Sequence, residues 1–291
     1  MGLKDKLSQK EFAILAEMEP PKGVDVSKMV SSAMKVKGKV DAFVVPEMSN
    51  AVMRMSSLGG ALILQGIGME TVMQVCCRDR NRIALQADLL AGYASGISNV
   101  MAVTGEDPSF GDHHKARAVN DIDLNELLHG IQTLQNGRDM AGIDLSGAPQ
   151  FTVGSTVNSG AKGQFLDDEL EELNRKIEGG AQFFVTPPLF DLASIKPFLE
   201  QVDIGRVNII PTLLLLKSVG MARYIERNMS HIFIPESLIE GLQKAPDKEK
   251  ECIRIVAEMA LLLKQEGFGG ILVATIGWEH KLADILEKAG F

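Results

Sequence analysis

Short apolar, β-branched runs alternate along this chain with longer stretches in which apolar residues recur three and four apart. The runs AILAEM (13–18), DAFVVP (41–46), TVMQVC (71–76), NVMAVT (99–104), QFTVGS (150–155), QFFVTP (182–187), VNIIPTLL (207–214) and GILVAT (270–275) read as strands that are apolar on both faces. Between them, VSKMVSSAMKVK (26–37), NRIALQADLLAGYAS (81–95), LNELLHGIQTLQ (124–135) and DDELEELNRKIEGG (167–180) carry helical spacing, and several stop on Gly or Asn. The long stretch 235–266 reads as two extra helices before the eighth strand, parted at Pro246–Asp247 with Asp247 as an N-cap. KLADILEKAG forms a last helix.

Eight doubly apolar strands, each leading into a helix, predict an α/β fold: a (β/α)8 TIM barrel, one catalytic domain over residues 1–291. A doubly wound sheet is the rival. It is weakened because neither GxGxxG nor GxxxxGK[ST] follows any strand. In a barrel, chemistry collects where the strands end at their C-terminal side.

Composition narrows the partners. Net charge is −8, with 30 basic against 38 acidic residues, which argues against nucleic acid or an anionic membrane as the partner. No apolar stretch approaches the ~20 residues of a membrane span, and the start MGLKDKLSQKEF lacks the apolar block of a secretory signal. The three cysteines, Cys76, Cys77 and Cys252, form no CxxC and support neither disulfides nor a zinc site, so a reducing cytoplasm is the expected location.

The strand ends carry the candidate chemistry. Glu17 and Glu19 precede Pro20–Pro21, and a carboxylate held by so rigid a backbone suits general acid or base work, with Glu17 the deeper of the two. Strand three runs into Arg78-Asp79-Arg80-Asn81-Arg82, whose guanidinium groups could hold an anion such as a phosphate or simply be solvated. After strand four comes the polar segment Thr104-Gly105-Glu106-Asp107-Pro108, continuing to Asp112-His113-His114. A metal there lacks a third ligand, so a cofactor-binding loop is expected and no metal is assigned. Gly154-Ser155-Thr156-Val157-Asn158-Ser159-Gly160 forms a small-residue segment that a flat ligand could approach. Lys176, midway along a helix, reads by default as an ordinary surface lysine, and the adjacent cysteines as packing residues.

The order EMEPPKG, CRDRNR, GISNVMAVTGEDPSFGD, GSTVNSG, ELNRKIEGGAQFF and PTLLLLKS resembles the methylenetetrahydrofolate reductase family over nearly the whole chain. The resemblance implies a flavin-containing barrel, with FAD ahead of FMN, that reduces 5,10-methylenetetrahydrofolate to 5-methyltetrahydrofolate. It implies catalytic roles for Glu17 and Glu106, Glu17 assisting opening of the folate's five-membered ring. Glu106 stands where the family usually has Asp. Ser155 takes the approximate place of a flavin-contacting Tyr, and Lys176 that of a lysine reaching the cofactor's phosphate region. The implied cofactor set is Gln74, Arg78, Asp79, Thr104, Gly105, Asp112, His113, Gly154, Ser155, Asn158 and Lys176, with Glu17, Glu106 and Pro187 toward the substrate. Pro187 replaces a Gln that contacts pterin and nicotinamide in many members, which removes a donor and an acceptor. The expected electron donor is therefore NAD(P)H used poorly, or a partner redox subunit in a homo- or hetero-oligomer. Two alternatives stand beside this reading: a folate-binding methyltransferase barrel that passes a methyl group to a corrinoid protein, and a non-catalytic barrel subunit of an electron-transfer assembly.

Overall fold

In the computed structural model, which describes residues 1–291, the strands are β1 (Ala13–Glu17), β2 (Ala42–Val45), β3 (Thr71–Cys76), β4 (Asn99–Val103), β5 (Thr152–Thr156), β6 (Phe183–Pro188), β7 (Asn208–Leu214) and β8 (Gly270–Ala274). All pair in parallel and in chain order, and β8 returns to β1 with Ala13 opposite Gly270 and Ala16 opposite Val273. The sheet closes into a (β/α)8 barrel, as the pattern predicts. All eight runs become strands. The largest difference in their limits is at β5, which starts at Thr152 and reaches Thr156.

The helices are α1 (Leu3–Ser8), α2 (Ser27–Lys35), α3 (Ser57–Gly66), α4 (Arg82–Ala94), α5 (Leu124–Gln135), α6 (Gln164–Glu178), α7 (Lys196–Leu199), α8 (Val219–Asn228), α9 (Glu236–Lys244), α10 (Lys248–Gln265) and α11 (Leu282–Lys288). The two extra helices are α9 and α10, and Asp247 caps α10 by accepting a hydrogen bond from the Lys250 amide at 3.1 Å. Neither α1 nor α3 carries a readable stripe. The first is six residues long, and the second, SLGGALILQG, is apolar around its whole circumference.

Two separate cores follow from strand alternation. The larger, 61 buried residues, lies between the sheet and the surrounding helices. The smaller fills the ring: Ala13, Leu15, Ala42, Val44, Val72, Met101, Phe183, Val185, Ile210 and Leu272, with Leu3 and Leu7 of α1 closing the floor. Leu3 is tied there by its amide, which donates to Glu70 Oε1 at 3.0 Å. Gly154 stands opposite Phe183 in the ring, and a Cβ on it would overlap the Phe183 ring. Its smallness thus makes room for a core aromatic.

Candidate active site

Two residues beyond each filled layer, the same inward parity brings Glu17, Gln74, Val103, Thr156, Pro187 and Thr212 to the C-terminal mouth. They line a cavity of about 550 Å³ together with Met101, Val185 and Leu272 beneath. That volume lies in the ordinary range for small-molecule sites, which is about 300–1,000 Å³.

Glu17 sits deep in this cavity, and its carboxyl takes no part in the ion pairs around it. Burial pushes its pKa from 4.5 up to about 7, and the like charges of Glu19, Glu279 and Glu106 push in the same direction. Glu19 is also raised by burial, but Arg54, with Nε 2.8 Å from its carboxylate, opposes the rise. One acid in the mouth is therefore poised near neutrality.

The β2–β4 side is a closed lattice of ion pairs. Arg78 is only 3% exposed and grips Asp79 through Nε and Nη2, both at 2.8 Å, while its Nη1 lies 3.4 Å from Glu106 Oε2. Arg80 bonds the buried Glu47 at 3.1 Å and Asp88 at 2.9 Å, and Arg82 bonds Asp121 at 2.9 Å. The anion-holding reading of this arginine cluster gives way: each guanidinium is already paired with a carboxylate of the chain. Gly105 adopts φ +87° against Cys76 and Arg78, a conformation and a closeness that no side chain permits. Asp112, Arg78, Asp79 and His113 lie outside the cavity wall. Asp112 instead pairs with Lys22, accepts from the Met53 amide at 3.0 Å and from His113, and these bonds hold its carboxyl well below the usual range.

On the β5 side, Lys176 is 4% exposed rather than a surface lysine. Its Nζ donates to the Thr156 carbonyl at 2.9 Å and lies 3.8 Å from Glu169, seven residues earlier on the same helix face. Both reach the cavity, as do Asn158, Thr104, Gly105, Glu106 and Gln74. Ser155 does not. It is fully buried on the outer face of β5 and donates to the Ala102 carbonyl at 3.0 Å, so Thr156 holds the inward position expected of it, and Gly154 lies below the cavity under Phe183. Cys76 and Cys77 are buried, with thiols pushed up to about 11 and about 12 by burial, which leaves them inert packing residues at neutral pH.

Lining residues outside the sequence reading include Thr212, Glu169 and His231. The first is legible from parity with Ile210, and the second from its helix phase with Lys176. His231, on the segment between α8 and α9, has no local signal.

A family model described as methylenetetrahydrofolate reductase matches residues 2–290. The chain belongs to the methylenetetrahydrofolate reductase family. Methylenetetrahydrofolate reductase 2 of Schizosaccharomyces pombe is 23% identical over 75% of this chain, and methylenetetrahydrofolate reductase 1 of the same yeast is 20% identical over 76%. The matched regions span only 35% and 36% of those two relatives, about a third of their length. Among solved structures, a Clostridium thermocellum protein that binds two copies of 5-methyl-5,6,7,8-tetrahydrofolic acid superposes with a TM-score of 0.64 at 15% identity, covering 99% of this chain and 97% of that one. A Chelativorans EDTA monooxygenase gives 0.56 at 11% identity, covering 96% and 92%. Both likenesses speak for the barrel fold. No helix of this family member is long and apolar enough to cross a membrane.

Proposed function

We propose that this barrel binds a reduced folate in its mouth and converts 5,10-methylenetetrahydrofolate to 5-methyltetrahydrofolate with the help of a flavin. The observation that carries the reading is Glu17, an acid with a pKa of about 7 at the base of a ligand-sized cavity, in a chain of this family. Support for folate comes from the Clostridium thermocellum neighbour, which binds 5-methyl-5,6,7,8-tetrahydrofolic acid.

The cavity suits a flat, polar-edged ring. Met101, Val103, Val185 and Leu272 offer an apolar floor, and Gln74, Thr156 and Asn158 offer polar groups on one wall. Gln74 Oε1 is engaged by the Glu47 amide at 3.1 Å, which orients the carboxamide. Lys176 is the cation that would meet a flavin phosphate, and Glu169 beside it would have to yield part of its hold. A flavin held there would supply the hydride, as cofactors do for chemistry that side chains cannot perform.

The chain's own task is the proton. Near neutral pH about half of Glu17 carries one. Its O–H bond breaks as an N–H bond forms on one nitrogen of the folate's five-membered ring. The C–N bond from that nitrogen to the bridging carbon then breaks, and the other nitrogen's lone pair forms the C=N⁺ of the iminium. Glu106, held by Arg78, adds negative charge on the opposite side of the mouth. Pro187 in the wall offers no side-chain amide, so NADH and NADPH are poor donors in this reading and a partner redox subunit supplies electrons.

Glu17→Gln keeps size and hydrogen bonding but cannot donate a carboxylic proton. It is expected to lower folate reduction by about 10²-fold or more while leaving flavin reduction by an artificial donor unchanged. Equal loss of both half-reactions would overturn the role given to Glu17. A colourless protein that takes up neither FAD nor FMN would favour the folate-binding methyltransferase reading instead.

A further inference from the structure

Two further cavities open from the mouth, and each shares part of its wall with it. The first, about 430 Å³, leaves past Thr104, Thr156 and Lys176 toward the start of α5. The second, about 490 Å³, leaves past Asn158, Glu169 and His231 into a trough between the segment joining β5 to α6 and the segment joining α8 to α9. Beyond those shared residues the trough is lined by Lys162, Phe165, Asp168 and Ser230, among others.

The chain fixes the walls of this trough. The Asn158 amide donates to Glu169 Oε1 at 3.0 Å, and the Gly160 amide donates to Asn158 Oδ1 at 3.2 Å. Gly160 lies so close to the His231 carbonyl that a Cβ would overlap it, so the two segments meet backbone to backbone. Ile232 and Ile234, both buried, pin the second segment beside His231.

Three groups in the trough remain to be used. Lys162 has neither an ion pair nor a side-chain hydrogen bond, and Phe165, in the first turn of α6, is 78% exposed. Asp168, three residues on along the same helix face, accepts only from Gln164 Nε2 at 3.2 Å. A free ammonium, an aromatic ring left in water and a carboxylate acceptor together match an aryl amide that ends in a carboxylate. The cavity toward α5 has the opposite character. Its acids are Asp123, which has no cationic partner, and Glu172, held by Arg175 at 3.3 Å, while its cation, Lys176, is already engaged by the Thr156 carbonyl and Glu169.

We infer that the trough holds the p-aminobenzoyl-glutamate half of the folate whose pterin occupies the mouth: Phe165 covers the aryl ring, Asp168 accepts from the amide N–H, and Lys162 pairs with a glutamate carboxylate. The inference rests on the mouth taking a reduced folate, as proposed above. It leaves the other exit, past Lys176, to the flavin.

The test is equilibrium binding of two probes to the full chain: 5-methyltetrahydrofolate, and 6-methyltetrahydropterin, which has the ring without the tail. Lys162→Met keeps the stem and removes the charge, and it should weaken folate binding about fivefold at low salt, the loss fading in about 0.5 M salt, with pterin binding unchanged. Phe165→Ala should weaken folate binding about two- to tenfold, again without effect on the pterin. Both side chains are exposed, so neither variant threatens the fold. Lys115→Met, which removes an exposed cation outside the trough, should match wild type. Unchanged folate binding in either trough variant, an equal loss for the pterin, or weaker uptake of FAD with uptake of FMN kept in Phe165→Ala would overturn the inference, the last by giving the trough to the cofactor. A wild-type chain that binds neither probe would overturn the folate reading of the mouth itself, which separates that failure from failure of the tail site alone.

Discussion

The two ends of the barrel obey one alternation rule and reach opposite outcomes. At the floor, inward positions include Ala13, Ala42, Val72 and Phe183, closed by Leu3 and Leu7, and the buried Asn99 amide there is bonded to the Glu70 carboxylate. At the mouth, inward positions of the same strands are Glu17, Gln74 and Pro187, and the loops above them carry carboxylates in excess of cations. The floor is packed shut and the mouth is left as a cavity. Where an acid such as Glu17 is kept at low dielectric without a counter-ion, stability is given up for a useful proton affinity.

Gly154→Val would break the comparison most severely. Its side chain meets the fully buried Phe183, and a loss beyond about 5 kcal/mol, read as failure to recover folded protein, is expected. At the floor, Leu7→Ala should cost about 2–5 kcal/mol in urea unfolding, while the pH profile of folate reduction keeps its shape. At the mouth, Glu17→Gln should have the opposite sign and stabilise the fold. Between pH 4.5 and about 7 the folded chain holds a proton that the unfolded chain has released, so wild-type stability falls as pH rises through that window. The gain in Glu17→Gln should therefore be absent below about pH 4.5 and reach roughly 2–3 kcal/mol above pH 7. A variant stabilised equally at pH 4 and pH 8 would sink this account. Smallest of all, Lys22→Met removes a half-exposed partner of Asp112, and its urea midpoint should match wild type in about 0.5 M salt.

Much of this contrast is legible in the sequence, because a strand apolar on both faces announces a parallel sheet covered on both sides. The eight runs and the split at Pro246–Asp247 follow from period and punctuation alone. So does Glu17, as the first polar inward residue of β1. What the sequence hides is pairing over distance. Nothing local reveals that Arg78 reaches the Glu47 carbonyl and Glu106, or that Lys176 turns inward to Thr156. Ser155 shows how fine the margin is. One residue of phase on β5 separates the cavity from the outer wall, and a family resemblance at low identity does not fix that phase. Glu279 and His231 come from turns whose approach to the mouth depends on the whole ring being assembled.

The pairing of β8 with β1 has a consequence for any shortened form of this protein. Within the ring every strand has two neighbours, and the bond from the Ala13 amide to the Gly269 carbonyl is part of the seam. A chain stopped before Gly270 would not be a slightly smaller barrel. It would be an open parallel sheet with two bare borders, β1 and β7, whose unpaired amides and carbonyls invite strands from other molecules. Inclusion bodies, rather than a weakly active fragment, are the expected product of such a truncation, and amide exchange in the intact ring should proceed only when the whole ring opens.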